Sequence, residues 1–243
     1  VNWVSKETRP ESSGTVSILA SRLHEATVED VIVLNKMVGH LRSTAKRPMI
    51  LWKYDLYKMT FVSSSDAGGV GSFEDDAVDL TDGMILDKTI GAWMILACDR
   101  IPTGIQRFKV SPIAWKAAKL KRRVPSTLGG EAIALSQSVA EVEWFQIMYR
   151  DVVYGDVQLA DWQNSTAPFT ALLGKTCSLA VRQPQAHVVD AKSVYDVVKK
   201  ESQGSKQDRR AALELAIVVQ SMNRAGAAIR WVPHAKMIVD MVT

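Results

Sequence analysis

The sequence predicts an α/β fold in which a mixed five-stranded sheet is flanked by helices. Three strand-like stretches follow one another along residues 59–115, as in an antiparallel meander. A long stretch with the 3.6-residue apolar period of a helix follows at residues 125–149. Beyond it, short apolar strands alternate with helical patterns, which is typical of parallel strands joined by helical crossovers.

Two helices joined by a short turn are predicted ahead of the sheet, within residues 13–41. Apolar residues recur there at helical spacing on both sides of a break at residues 25–27. Thr27 followed by Asp30 resembles a capping box, which would start the second helix.

Each of the first three strands is bounded by residues that favour turns. The first candidate, residues 59–66, begins with β-forming residues and ends at Ala-Gly-Gly. The second and third candidates are residues 90–97 and 107–115, separated by a Pro-Thr-Gly turn. Residues 71–89 are acidic without a clear period, so we expect a solvated loop there.

The predicted long helix carries an acid on its apolar stripe. Glu131 lies three residues after Leu128 and four before Leu135. An unpaired buried charge costs several kcal/mol, so Glu131 should be paired, bound to a metal, or close to a helix end where water reaches it. Ser126 or Thr127 could be the N-cap. The other members of the stripe are Val139, Val142, Phe145 and Tyr149.

Two more acids, Asp190 and Asp240, are candidate functional residues because of their positions. Asp190 directly follows a short apolar strand at residues 186–189 and precedes a helical pattern. It is either the N-cap of that helix or a carboxylate at the carboxyl end of a strand, where sites in α/β sheets collect. Asp240 lies in an apolar stretch near the end of the sequence.

The remaining predicted elements are a helix at residues 208–223 capped by Asp208, a strand at residues 228–232, and a final helix from residue 234.

Composition and charge limit the classes of function. The chain has 243 residues, of which 47% are hydrophobic and 23% charged, with a net charge of +4. These values are ordinary for a soluble globular protein and permit an anionic partner without requiring one. No apolar run approaches the ~18 residues that span a bilayer, and no signal peptide is recognisable. We therefore expect an intracellular protein, cytoplasmic or nuclear, that binds no membrane. Cys98 and Cys177 lie far apart in the sequence, each among apolar neighbours, so we expect both to be buried free thiols.

A basic run connects the third strand to the long helix. Such a run is usually a solvated loop, but this one directly precedes the helix that carries Glu131. A phosphate backbone held by the run would lie beside that carboxylate. Arg209 and Arg210, at the start of a later helix, are further candidates for phosphate contacts. The run consists of Lys116, Lys119, Lys121, Arg122 and Arg123.

Three stretches resemble the ribonuclease H region at the end of copia-type LTR retrotransposon polyproteins. Residues 125–144, PSTLGGEAIALSQSVAEVEW, are similar to the family's Ser-Thr-x-x-Glu-Ala-x-x-x-Ala-Leu-Ser run. Residues 188–196, VVDAKSVYD, resemble its Asp-x-x-Ser strand-to-helix step, and residues 230–243 resemble its Trp-Val-Pro motif and Ala-Asp-x-Leu-Thr ending. The resemblance implies a ribonuclease H-like domain at residues 56–243. It also implies that residues 1–55 are a helical segment similar to the one that follows reverse transcriptase in those polyproteins.

The resemblance further implies a metal-dependent nuclease. Enzymes of this family hydrolyse the RNA strand of RNA–DNA hybrids, using four carboxylates that bind two divalent ions. By motif these carboxylates are Asp66, Glu131, Asp190 and Asp240. Oxygen ligands favour Mg²⁺ or Mn²⁺ over zinc. His234, six residues before Asp240, is a candidate for a mobile histidine that helps the product leave.

A second hypothesis retains the fold without the activity. In it the chain is a domesticated relative that serves as a binding or scaffold module of a larger polyprotein or multi-subunit assembly. The two hypotheses differ in one geometric requirement, because only the nuclease needs its acids to converge on one point.

Overall fold

The computed structural model describes residues 2–69, 89–101, 108–120, 126–154, 185–200 and 208–241, apart from the side chains of residues 150, 154, 200, 240 and 241. Within these ranges the chain forms six α-helices, five strands and four short 3₁₀ turns. The helices are α1 (Asn2–Glu7), α2 (Ser13–Ser21), α3 (Val28–Ser43), α4 (Thr127–Tyr154), α5 (Lys192–Lys200) and α6 (Arg209–Ala225). The strands are β1 (Thr60–Gly69), β2 (Thr89–Cys98), β3 (Ser111–Lys119), β4 (Gln185–Val189) and β5 (Ala228–Trp231). The 3₁₀ turns are Pro10–Ser12, Leu23–Glu25, His234–Lys236 and Ile238–Met241.

The five strands form one mixed sheet in the order β3-β2-β1-β4-β5. The pairs β1–β2 and β2–β3 are antiparallel, whereas β1–β4 and β4–β5 are parallel. With helices flanking the sheet, this is the ribonuclease H-like arrangement that the sequence predicts, and the predicted fold class is confirmed. Because β1 and β4 are parallel neighbours, their carboxyl ends lie at the same edge of the sheet.

Helix α4 packs on one face of the sheet along its predicted apolar stripe. Leu135 and Val142 are fully buried, and Val139 and Tyr149 are nearly so. Tyr149 meets Phe61 of β1 edge to face, with ring centroids 5.5 Å apart. A methyl group at Gly91 of β2 would come within 2.6 Å of Leu120 Cδ2, so only glycine fits there without displacing Leu120.

The predicted third strand has the wrong bounds. The sequence places it at residues 107–115, but β3 runs from Ser111 to Lys119 because its backbone continues to pair with β2 as far as Ile90 opposite Lys119. Within the described residues, β3 is an edge strand. Such a strand can carry exposed lysines without leaving the sheet. Lys116 and Lys119 therefore lie on a strand and not in a loop.

The N-terminal segment contains three helices where the sequence predicts two. A separate helix, α1, precedes Pro10, which starts a 3₁₀ turn. The predicted capping box is confirmed, since Thr27 Oγ1 accepts from the Asp30 N–H and Asp30 Oδ2 accepts from the Thr27 N–H. Helix α2 contacts β3, and Trp115 of β3 donates its indole N–H to the Ser5 carbonyl at 2.7 Å. The division of the chain near residue 55 remains a prediction.

The predicted C-terminal helix is also wrong. After Pro233 the chain makes two 3₁₀ turns, and the buried residues Met237 and Val239 anchor this segment. The second turn contacts β1 and β2. Apolar residues at helical spacing predict a helix here, but the residues instead bury themselves against the sheet in tighter turns.

The remaining predictions fall partly outside the described residues. Cys98 is buried and free, as predicted, whereas Cys177 lies outside them. The predicted acidic loop lies outside them except for Thr89, which begins β2. No helix in the described ranges is long and apolar enough to cross a membrane.

Candidate metal centre and nucleic-acid interface

Three carboxylates meet at the edge where β1 and β4 end. Asp66 lies in β1, Glu131 lies in the second turn of α4, and Asp190 directly follows β4. One carboxylate oxygen of each lies within 4.8 Å of the others. Asp66 is buried, and Glu131 and Asp190 are half-buried. Among the four acids predicted from the sequence, the structure therefore brings at least these three together.

The N-terminus of α4 determines where Glu131 lies. Ser126 Oγ accepts a hydrogen bond from the Gly129 N–H at 3.0 Å, which fits one of the two predicted N-caps. The same hydroxyl donates to Asp208, and Asp208 caps α6 by accepting from the Ala211 N–H. The starts of α4 and α6 are thus joined, and Glu131 follows just past the first turn of α4.

The carboxylate cluster combines burial with repulsion between like charges. Burial, followed by the charges of Asp66 and Asp190, raises the pKa of Glu131 to about 9. A hydrogen bond from the Ala67 backbone lowers that pKa in part. Glu131 Oε2 is buried and has no hydrogen-bond partner among the described residues. Close like charges raise one another's pKa until a proton or a cation neutralises them.

The cluster fits a hard divalent cation. All three side chains offer carboxylate oxygens, the ligands that Mg²⁺ prefers. They lie close enough to share one ion. Glu131 Oε2 accepts no hydrogen bond from the described residues, so this oxygen is available to bind the ion. Zinc sites generally contain thiolate or imidazole ligands, and the three clustered side chains offer neither.

Asp190 is held in place by the segment that follows β5. His234 Nδ1 lies 2.8 Å from Asp190 Oδ2, and the side chain of Asp190 is only 9% exposed whereas that of His234 is 78% exposed. Trp231 Nε1 donates to the Asp190 carbonyl at 2.7 Å. Sequence reasoning missed this role of Trp231, although its position at a strand end just before Pro233 was a usable signal.

The fourth predicted acid, Asp240, lies in the last 3₁₀ turn. The backbone of that turn contacts β1, the strand that carries Asp66. The side chain of Asp240 lies outside the described residues, so its part in the cluster remains a prediction.

The described basic candidates border a groove at the same end of the sheet. Lys116 and Lys119 are exposed on β3 and line a cavity of about 550 Å³ between β3 and α4. Lys116 pairs with Trp93 of β2, and Trp93 pairs with Ser65 of β1, which precedes Asp66. Two strand spacings, roughly 10 Å, therefore separate the backbone of Lys116 from that of Ser65. Glu141 and Glu214 also line the cavity.

The other predicted basic residues divide into two groups. Arg209 and Arg210 are exposed in the first turn of α6, which the Ser126–Asp208 hydrogen bond joins to the start of α4. Lys121, Arg122 and Arg123 lie outside the described residues.

No protein-family model matches the chain, and no curated protein matches it. The solved structures that are similar in fold include three ribonucleases H. Ribonuclease H1 of the halophilic archaeon Halobacterium salinarum is 10% identical, with a TM-score of 0.40 over 72% of this chain and 86% of its own. The N-terminal ribonuclease H domain of a Mycobacterium tuberculosis protein, solved as a fusion with maltose-binding protein, is 12% identical, with a TM-score of 0.38 over 73% and 84%. A type 1 ribonuclease H with the type 2 active-site motif is 13% identical, with a TM-score of 0.32 over 75% and 67%. These likenesses concern the fold alone, so the chemistry of the site rests on its own geometry.

Proposed function

We propose that this protein is a metal-dependent endonuclease that hydrolyses the RNA strand of RNA–DNA hybrids, as a ribonuclease H of a copia-type retroelement. The observation that supports it best is the convergence of Asp66, Glu131 and Asp190 within 4.8 Å. A domain that served only as a scaffold would gain nothing from three mutually repelling carboxylates at a strand end.

Asp66, Glu131 and Asp190 would hold two Mg²⁺ or Mn²⁺ ions together with Asp240. When bound, the ions supply activation of the attacking water and stabilisation of the leaving oxygen. The role of the protein is to hold these carboxylates in place before substrate binds. A buried strand carries Asp66, a capped helix carries Glu131, and Asp190 lies at a strand end. Glu131, whose pKa is about 9 without a cation, would release its proton when a cation binds.

His234 would act on Asp190 and on product release. It lies 2.8 Å from the Asp190 carboxylate and is largely exposed. Contact of this kind orients a metal-binding carboxylate, and exposure would let the ring move away as the product departs.

Recognition of the hybrid would depend on its backbone. Lys116 and Lys119 would contact phosphates on the β3 side of the cluster, and Arg209 and Arg210 on the α6 side. Lys121, Arg122 and Arg123 would extend the first group. Contacts to phosphate, helix shape and the RNA 2′-hydroxyl carry little sequence information, so cleavage should depend weakly on sequence.

The direct test is cleavage of an RNA–DNA hybrid labelled on its RNA strand, in the presence of Mg²⁺. We expect wild-type protein to cut the RNA and Asp190→Asn to lose several kcal/mol of transition-state stabilisation, on the order of a thousandfold in rate. Asp151→Asn, an exposed acid late in α4, removes the same charge and should cut normally.

The outcome also decides between the two hypotheses. Failure of the wild-type protein to cut a hybrid that it binds would contradict the proposal and favour the silent binding module of a larger assembly. Equal loss of activity in Asp190→Asn and Asp151→Asn would also contradict it.

A further inference from the structure

A second basic surface lies where the chain approaches β1. Residues 46–58 contain four basic residues and one acid, Asp55. Two aromatic side chains in this segment remain accessible, with Trp52 40% and Tyr57 67% exposed. We call these two side chains, together with the exposed Lys53, Lys58 and Lys109, the Trp52 surface. Lys58 Nζ lies 3.7 Å from Asp55 Oδ2 in an exposed ion pair.

Trp52 is anchored although it is exposed. Its backbone N–H donates to Ser111 Oγ at 2.7 Å, and the same hydroxyl donates to Tyr54 Oη at 3.2 Å. Lys109 Nζ lies 4.3 Å from the centroid of the Trp52 ring, in a cation–π contact. An indole is therefore held at the edge of the sheet beside a lysine, yet much of it faces solvent.

This surface lies toward the end of the sheet opposite the carboxylates. Ser111, which anchors Trp52, pairs with Ala97, and Ala97 pairs with Phe61 near the start of β1. Asp66 follows Phe61 by five positions on the same strand, which corresponds to roughly 17 Å along the sheet. The Trp52 surface is therefore separate from the cluster and from the groove at Lys116.

We propose that the Trp52 surface binds single-stranded nucleic acid. Anchored, exposed aromatic rings stack on unpaired bases, and neighbouring lysines attract the phosphates between them. A duplex offers its bases to no such ring, because they are already stacked inside the helix. The surface would therefore favour a single strand over a duplex, without preference for sequence.

The proposal is tested by fluorescence anisotropy with a labelled 20-nucleotide oligo(dT), in EDTA so that the carboxylate cluster does not contribute through metal. We expect Trp52→Ala to weaken binding by about tenfold, as the loss of one stacked base implies. Lys58→Glu should weaken it as well. Two matched controls, Trp3→Ala on α1 and Lys36→Glu on α3, alter exposed residues of the same types elsewhere and should bind as wild type does.

Three results would overturn the proposal: no binding by the wild-type protein, equal effects in the surface and control variants, or competition by duplex DNA as strong as by single strands. If Trp52→Ala does not fold, Lys109→Glu and Tyr57→Ala provide the same test at exposed positions. Cleavage of hybrids is measured separately, so loss of oligo(dT) binding with cleavage intact, or the reverse, shows which of the two proposals fails.

Discussion

Two buried ionisable sites lie on the same pair of strands and differ in what surrounds them. His187 of β4 is fully buried, and its Nδ1 lies 2.8 Å from Ser63 Oγ on the neighbouring position of β1. Three residues further along both strands, Asp66 and Asp190 meet Glu131. The two sites are only about 10 Å apart along the sheet.

The difference shows what distinguishes a structural site from a candidate functional one. Burial alone acts on His187 and lowers its pKa to about 4, so the ring stays neutral near pH 7 and bonds to a hydroxyl. Burial acts on Glu131 as well, but two neighbouring carboxylates add to it and raise the pKa to about 9. Repulsion between like charges, which a cation would relieve, therefore separates the candidate functional site from the structural one.

A large effect on stability, which grows as the pH falls, should come from protonation of His187. Its folded pKa of about 4 lies below the usual unfolded value, so the unfolded state binds more protons between about pH 6.5 and pH 4. Wild-type protein should lose about 3 kcal/mol of stability across that window relative to His187→Asn. Urea unfolding at a series of pH values measures this difference, with His40→Asn, an exposed histidine of α3, as the control. Parallel pH profiles for wild type and His187→Asn would show that the buried ring does not behave as described.

An effect of at least the same size, with the opposite pH dependence, should come from Glu131. Its raised pKa means that the folded state holds a proton which the unfolded state has released, so stability falls as pH rises from about 4.5 to 9. Glu131→Gln should therefore be more stable than wild type in EDTA by roughly 4 to 5 kcal/mol at pH 8, and equal to it near pH 4. Thermal unfolding checks both points, and Glu141→Gln on the same helix is the control. A variant that is less stable than wild type at pH 8 would mean that Glu131 is well paired without a cation.

The smallest predicted effect concerns the lysines of β3. Lys116→Ala and Lys119→Ala remove exposed charges, so we expect little change in stability. Hybrid affinity should fall severalfold, and the slope of log affinity against log salt concentration should decrease by about one for each phosphate that the variant no longer neutralises. Binding titrations at several salt concentrations measure this, with Lys36→Ala as the control. An unchanged salt dependence would exclude these lysines from the interface.

Much of the fold could be predicted because its patterns are local. The stripe of α4, the β-forming run of β1 and the short apolar strand β4 each contain their signal within a few residues. The prediction misplaces the third strand because its exposed lysines have the composition of a loop, and only pairing with β2 reveals them as strand. It misplaces the C-terminal turns because Met237, Ile238 and Met241 recur in the sequence at a spacing that a helix would also satisfy.

The candidate site could be predicted only in part. Glu131 is identifiable as an acid on an apolar stripe, and Asp190 as an acid at a strand end. Their meeting with Asp66 depends on the register of β1 against β4 and on the docking of α4, which no local pattern specifies. The contacts of His234 and Trp231 with Asp190 arise from the same long-range register, and sequence reasoning proposed neither of them.

The most direct test of the central claim is anomalous diffraction from crystals soaked in Mn²⁺. We expect a peak between the carboxylates of Asp66, Glu131 and Asp190, at the distances of direct oxygen coordination, and its loss in Asp66→Asn. Absence of a peak at saturating Mn²⁺, with the three side chains still together, would show that the cluster is not a metal centre.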